Sequence, residues 1–98
     1  MLFMQVFTPK TGLTHEDQKN SLKQWENFTP PKGMEIKSFH CSPDGKGFLL
    51  IEAESAEALF EPMAIWAGVY LNYEIMPVVE VEKAVEFWNK AIAKRESA

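Results

Sequence analysis

Ninety-eight residues provide for one domain around one core, and a composition that is 46% hydrophobic and 24% charged, with three Trp and seven Phe, is that of a folded chain rather than a disordered one. The net charge of −4, with Arg95 the one arginine beside nine lysines, argues against nucleic acid and phosphate ligands, which favour the bidentate guanidinium fork. Cys41 is the one cysteine, so an intrachain disulfide is excluded and a reducing compartment fits; no apolar run approaches the ~20 residues of a membrane helix, and the segment Met1–Phe7 does not read as a secretory signal, so the expectation is a cytoplasmic protein with no membrane partner.

Leu2 to Thr8 reads as a first strand, ended by Pro9 and Gly12. Thr14 is placed to cap a helix, with Glu16 and Asp17 in its first turn, and that helix runs to about Phe28 with Leu22 and Trp25 at helical spacing. Pro30, Pro31 and Gly33 close it. Met34 to Cys41 forms a second strand, and Ser42-Pro43-Asp44-Gly45-Lys46-Gly47 is a hairpin connection built of turn formers. The nearly continuous apolar run Phe48 to Ala53 suits a central strand.

Ser55 heads a second helix with Leu59, Met63 and Trp66 on one stripe and a kink or restart expected at Pro62. Val69 to Val79 holds the fourth strand. A last helix, about residues 80–97, carries the clearest helical period in the chain: Val81, Ala84, Val85, Trp88 and Ile92, with Lys90, Lys94 and Arg95 near its C-terminus. The order β-α-β-β-α-β-α, with right-handed crossovers, predicts a single α+β domain over residues 1–98: a ferredoxin-like βαββαβ sheet with helices on one face and an extra C-terminal helix.

Alternation divides each strand between two faces. Leu2, Met4 and Val6, with Leu49, Ile51, Ala53, Leu71, Tyr73 and Ile75, are expected under the helices. The opposite face then mixes Phe3, Phe7, Phe48, Leu50, Tyr70 and Met76 with Gln5, Ser38, His40, Glu52, Asn72 and Glu74. That face is too apolar for a solvated surface and too polar for a plain interface core. The expectation is a homodimer that pairs through it and encloses a partly polar space, a dimeric α/β barrel. His40 is expected opposite Phe48 and Ser38 opposite Leu50, with Ile36 opposite Glu52.

Gln5, Ser38, His40, Glu52, Asn72 and Glu74 are therefore the candidate ligand-binding residues, and His40 and Glu74 the candidates for acid–base work. Ordinary structural roles compete: a locally bonded imidazole and a solvated edge carboxylate. No metal site is expected, because His15 and His40 are the only histidines, adjacent His40 and Cys41 point to opposite faces, and no ligand spacing such as CxxC or HxxxH occurs. No cofactor motif is found either: Thr8-Pro9-Lys10-Thr11-Gly12 lacks the glycine spacing of a phosphate loop. Lys46-Gly47-Phe48-Leu49-Leu50-Ile51-Glu52-Ala53 matches the RNA-recognition strand only at Lys46, Gly47 and Phe48, with Leu50 and Ala53 where bases would need aromatic rings. Trp25, Trp66 and Trp88 are expected to pack in the core.

Three segments carry a resemblance: Gly47-Phe48-Leu49-Leu50-Ile51-Glu52-Ala53 with Ala56-Glu57-Ala58-Leu59, then Trp66, then Tyr73-Glu74-Ile75-Met76-Pro77-Val78-Val79. With Met1-Leu2-Phe3-Met4 and His40 before the hairpin, the chain resembles the small bacterial family known as domain of unknown function 3303. The resemblance implies the dimeric α/β-barrel superfamily, which includes small monooxygenases, muconolactone isomerase-like enzymes and stress-response barrel proteins, and it carries over no catalytic residue. Two readings stand from the sequence: a dimeric barrel that binds or converts a small, partly apolar organic molecule, and a non-catalytic dimeric interaction or regulatory module. Salt-sensitive retention on DNA or RNA would mark a third, nucleic acid binding.

Overall fold

The computed structural model describes residues 1–97. Its elements follow the chain as β1 (Leu2–Pro9), α1 (His15–Glu26), β2 (Met34–Cys41), β3 (Gly47–Ala53), a 3₁₀ turn (Glu57–Leu59), α2 (Phe60–Ala64), β4 (Leu71–Val78) and α3 (Val81–Glu96). The strands form one open antiparallel sheet in the order β2-β3-β1-β4, so β3 and β1 are central and β2 and β4 are edges.

Local chemistry accounts for the element ends. Thr14 Oγ1 accepts the Asp17 N–H at 3.0 Å while the Asp17 carboxylate accepts the Thr14 N–H at 3.0 Å, a reciprocal capping box that fixes the start of α1. The Thr14 N–H also holds the Asp17 carboxyl below its ordinary value. Ser55 Oγ accepts the Ala58 N–H at 3.3 Å at the head of the 3₁₀ turn. Pro62 is the third residue of α2, within the first turn, where a helix has no use for its N–H. It therefore restarts the helix after the 3₁₀ turn; Leu59 and Met63 are buried in the core, and Trp66, past the end of α2, is buried as well. At the hairpin, Gly45 turns at φ +87° and donates its N–H to the Ser42 carbonyl at 3.0 Å.

The core lies between the sheet and the side carrying α1 and α2, built on Phe3, Phe7, Leu49 and Ile51 with Leu59 and Met63 beneath. Here the structure corrects the face expected for β1. Gln5 pairs with Leu49, Phe3 with Ile51 and Phe7 with Gly47, so Phe3, Gln5 and Phe7 lie under the helices. Leu2, Met4 and Val6 lie on the open face with Glu52, Leu50 and Phe48. Both faces of β1 are apolar enough to bury, and only the side with two Phe fills the space left by Gly47.

On β2 the pairing His40–Phe48 and Ser38–Leu50 is as expected. A bulge at Lys37 then shifts the register, so Ile36 meets Ile51 on the helix side rather than Glu52. The sheet is not closed into a barrel.

α3 departs furthest from a packed domain. None of its residues is buried, and Trp88 is 61% exposed rather than in the core; of the other two tryptophans expected there, Trp66 is buried and Trp25 is 42% exposed. The radius of gyration is 17.1 Å, against about 13 Å for a compact chain of this length. The principal extents are 59, 30 and 20 Å.

Candidate functional site

α1 crosses the helix side of the sheet without burying a residue. It is held near its C-terminal end by rings. Trp25 meets Phe39 edge-on at 5.1 Å and stacks on Phe28 at 6.0 Å, and Phe28 meets Trp66 edge-on at 5.3 Å. The Trp66 indole N–H donates to the Ser21 carbonyl at 3.3 Å, tying α1 to the segment after α2. A cavity of about 860 Å³ lies between α1 and the sheet.

Its floor is the helix side of the strands: Gln5 and Phe7 of β1, Ile36 and Phe39 of β2, Leu49 of β3, and Leu71 and Tyr73 of β4. Gln18, Ser21, Leu22 and Trp25 of α1 form the roof, with Met63 and Trp66 behind. The loop after β1, with Pro9, Lys10 and Gly12, and the β2–β3 hairpin, with Pro43, Asp44 and Gly45, complete the lining. Lys10 Nζ, on the first of these, donates to the Gly68 carbonyl at 2.7 Å. On the hairpin, the Ser42 hydroxyl donates to the Asp44 carboxylate and holds that carboxyl below its ordinary value.

Two polar groups are set into the apolar floor. Gln5 is 1% exposed, the one buried polar side chain of the sheet, and its Oε1 has no hydrogen-bond partner. An unpaired buried acceptor costs about 1–3 kcal/mol. Tyr73, whose ring meets Phe7 edge-on at 6.0 Å, is desolvated, and burial pushes its hydroxyl above the ordinary range, so it stays a neutral donor. Lys10 and Asp44 are the charged side chains of the lining, and both are exposed.

The structure separates the residues expected to act together. Gln5 is on the helix side; Ser38, His40, Glu52, Asn72 and Glu74 are on the open face. His40 and Glu74 share one cross-strand row, His40–Phe48–Val6–Glu74, but occupy opposite edges. Three strand spacings, roughly 14 Å, keep imidazole and carboxylate apart within one chain. Glu52 faces Glu35 of the neighbouring β2 and lies 2.9 Å from the Met1 amino group, while Ser38 faces Leu50 and Asn72 faces Thr8. No cluster of His, Cys, Asp and Glu fit to hold a metal occurs among the described residues, and no helix there is long and apolar enough to cross a membrane.

The cavity walls Trp25, Phe28, Phe39 and Trp66 were not singled out from the sequence as site residues. Their signal was spacing: Trp25 and Phe28 sit on one side of α1's end, and Phe39 falls on the same strand face as Ile36 only after the bulge. Gln5 did carry a signal, a polar residue alternating with Phe3 and Phe7.

Fold and site together define a small α+β domain: an open four-stranded antiparallel sheet, three helices, and a largely apolar cavity roofed by the first helix. The chain belongs to the family described as Domain of unknown function (DUF3303), whose model matches residues 1–92. No curated protein and no solved structure matches it.

Proposed function

We propose that the protein binds a small, largely apolar organic molecule in the cavity beneath α1. The observation that carries this reading is the cavity itself: about 860 Å³, walled by aromatic and aliphatic side chains, with few polar groups in its floor. That size and lining are typical of small-molecule sites. Binding without acid–base chemistry is favoured, since the lining contains neither an imidazole nor a buried carboxylate. The test is a titration with 2-naphthol followed by the indole N–H resonances. Trp25 and Trp66 line the cavity and are expected to shift; Trp88, out on α3, serves as the control. Shifts at Trp88 alone, or none at all, would refute the reading.

A second part of the reading is self-association, in which two copies pair through the open sheet faces as a dimeric α/β barrel of ferredoxin-like domains. The strand order β2-β3-β1-β4 supports it, being the order that right-handed crossovers of a βαββαβ chain produce. So does the apolar surface left uncovered: Phe48 and Met76 on the open face, and Val81, Val85, Trp88 and Ile92 along α3, are all 41–63% exposed. Uncovered apolar surface of this kind marks an interface. Ser38, His40, Glu52, Asn72 and Glu74 then serve as polar members of the contact between copies. A cytoplasmic setting is in keeping with the lone, exposed Cys41 thiol. If the cavity takes no ligand, the exposed α3 stripe favours the alternative of a non-catalytic interaction module.

A further inference from the structure

The cavity reading above says where a ligand goes; the polar groups of the floor say what kind it is. Resting on that reading, we infer that the ligand is an uncharged molecule with a flat, ring-containing body and an O–H or N–H donor, which it gives to Gln5 Oε1.

The donor follows from the orphaned acceptor. Gln5 is 1% exposed and sits in the middle of a central strand, between Phe3 and Phe7 on the same face. Its Oε1 finds no donor among the described residues, while the Gln5 side chain lines the cavity. Buried polar atoms of folded chains are nearly all paired, so an acceptor kept unpaired in the wall of a cavity is matched by something that enters the cavity. Tyr73 lines the same floor and carries the second polar group there.

The absence of charge follows from the lining. Lys10 is committed to the Gly68 carbonyl, and Asp44 to the Ser42 hydroxyl and to Lys46, whose Nζ is 3.4 Å away. Both are exposed, and the strands of the floor contribute no charged side chain to the lining. An ion seated beside Gln5 would be desolvated with no counter-charge, which costs far more than an amide can return. The flat body follows from the walls: Phe7, Trp25, Phe39 and Trp66 offer ring edges and faces to a planar guest.

The experiment uses the whole chain and a matched pair of probes, 2-naphthol and naphthalene, which share a ring body and differ in one hydroxyl. Calorimetric or NMR titration of the native protein is expected to give at least tenfold tighter binding of 2-naphthol, since a site built to bond a hydroxyl discriminates strongly against the analogue without it. The preference is expected to vanish in Gln5→Leu and in Gln5→Met, with naphthalene binding kept. If both probes bind native protein equally, the donor inference is overturned while the cavity reading stands. If naphthalene binds tenfold tighter, the donor inference is likewise overturned. If neither probe binds, the cavity reading falls and the inference falls with it. A discrimination that survives both variants assigns the bond to another group and overturns the role of Gln5.

Discussion

The ring of Phe7 occupies the space that a side chain at Gly47 would need. The two residues face each other across β1 and β3, and Gly47 is buried beneath the ring. A Cβ on residue 47 would overlap Phe7 Cζ and Cε2. The same ring meets Phe39 at 5.9 Å and Tyr73 at 6.0 Å, so this one glycine sets the position of the ring that joins three strands in the cavity floor.

Gly47→Ala is therefore expected to destabilise the fold despite the entropic advantage of alanine over glycine. Overpacking a tight core costs about 1–3 kcal/mol, against roughly 0.5–1 kcal/mol gained by restricting the backbone. Urea denaturation should show a lower midpoint with an unchanged slope. A midpoint equal to or above the native one would mean that Phe7 has room to move.

Trp25 is the main ring contact between α1 and β2, and it also touches Phe28 and Trp66. Ring pairs of this kind are worth about 0.5–1.5 kcal/mol each. Trp25→Ala is expected to loosen α1 while leaving the sheet intact. Hydrogen exchange should report faster exchange in His15–Glu26, with the β1 and β3 amides still protected. Equal loss of protection in sheet and helix would show instead that α1 is part of the cooperative core.

Tyr73 gives the alkaline limb of stability its shape. Burial raises the folded-state value of its hydroxyl above the ordinary 10.0, so the unfolded chain loses its proton first. Stability from this group is complete below pH 10.0 and is lost as pH rises toward the folded-state value. Tyr73→Phe, which cannot ionise, should therefore gain on the native protein as pH climbs above that point. Parallel stability curves for the two proteins would contradict the burial argument.

Self-association is expected to depend on both uncovered surfaces. Phe48→Glu places a carboxylate in the middle of the open face, beside Val6 and His40. Trp88→Glu breaks the stripe of α3 without touching the core, since no residue of α3 is buried. Sedimentation velocity should find the native chain dimeric, Phe48→Glu monomeric or aggregated, and Trp88→Glu weakened. A native monomer, or an undisturbed Phe48→Glu dimer, would place the interface elsewhere or abolish it.

How much of this was legible beforehand depended on which physical signal each feature left in the chain. Thr14 and Asp17 announce their capping box by spacing, and Leu59, Met63 and Trp66 announce their stripe, so the elements were readable. The face of β1 was not, because Leu2, Met4 and Val6 are as apolar as Phe3 and Phe7; hydropathy cannot choose between them, while the fit of Phe7 over Gly47 can. The bulge at Lys37 likewise leaves no compositional mark, yet it decides that Ile36 joins the cavity floor. Gln5 was legible as a candidate and illegible as to side, since a one-residue change of parity moves it between the open face and the cavity. For α3, periodicity revealed an amphipathic helix but not that its stripe lies uncovered within one chain.

The account turns on one acceptor, Gln5 Oε1, in one cavity. A crystal structure of the protein with 2-naphthol tests it most directly. The account predicts the ring system between α1 and the sheet, against Phe7 and Trp66, with its hydroxyl within hydrogen-bonding distance of Gln5 Oε1. The same molecule found on the open sheet face beside His40, or along α3 beside Trp88, with the cavity empty, would contradict it.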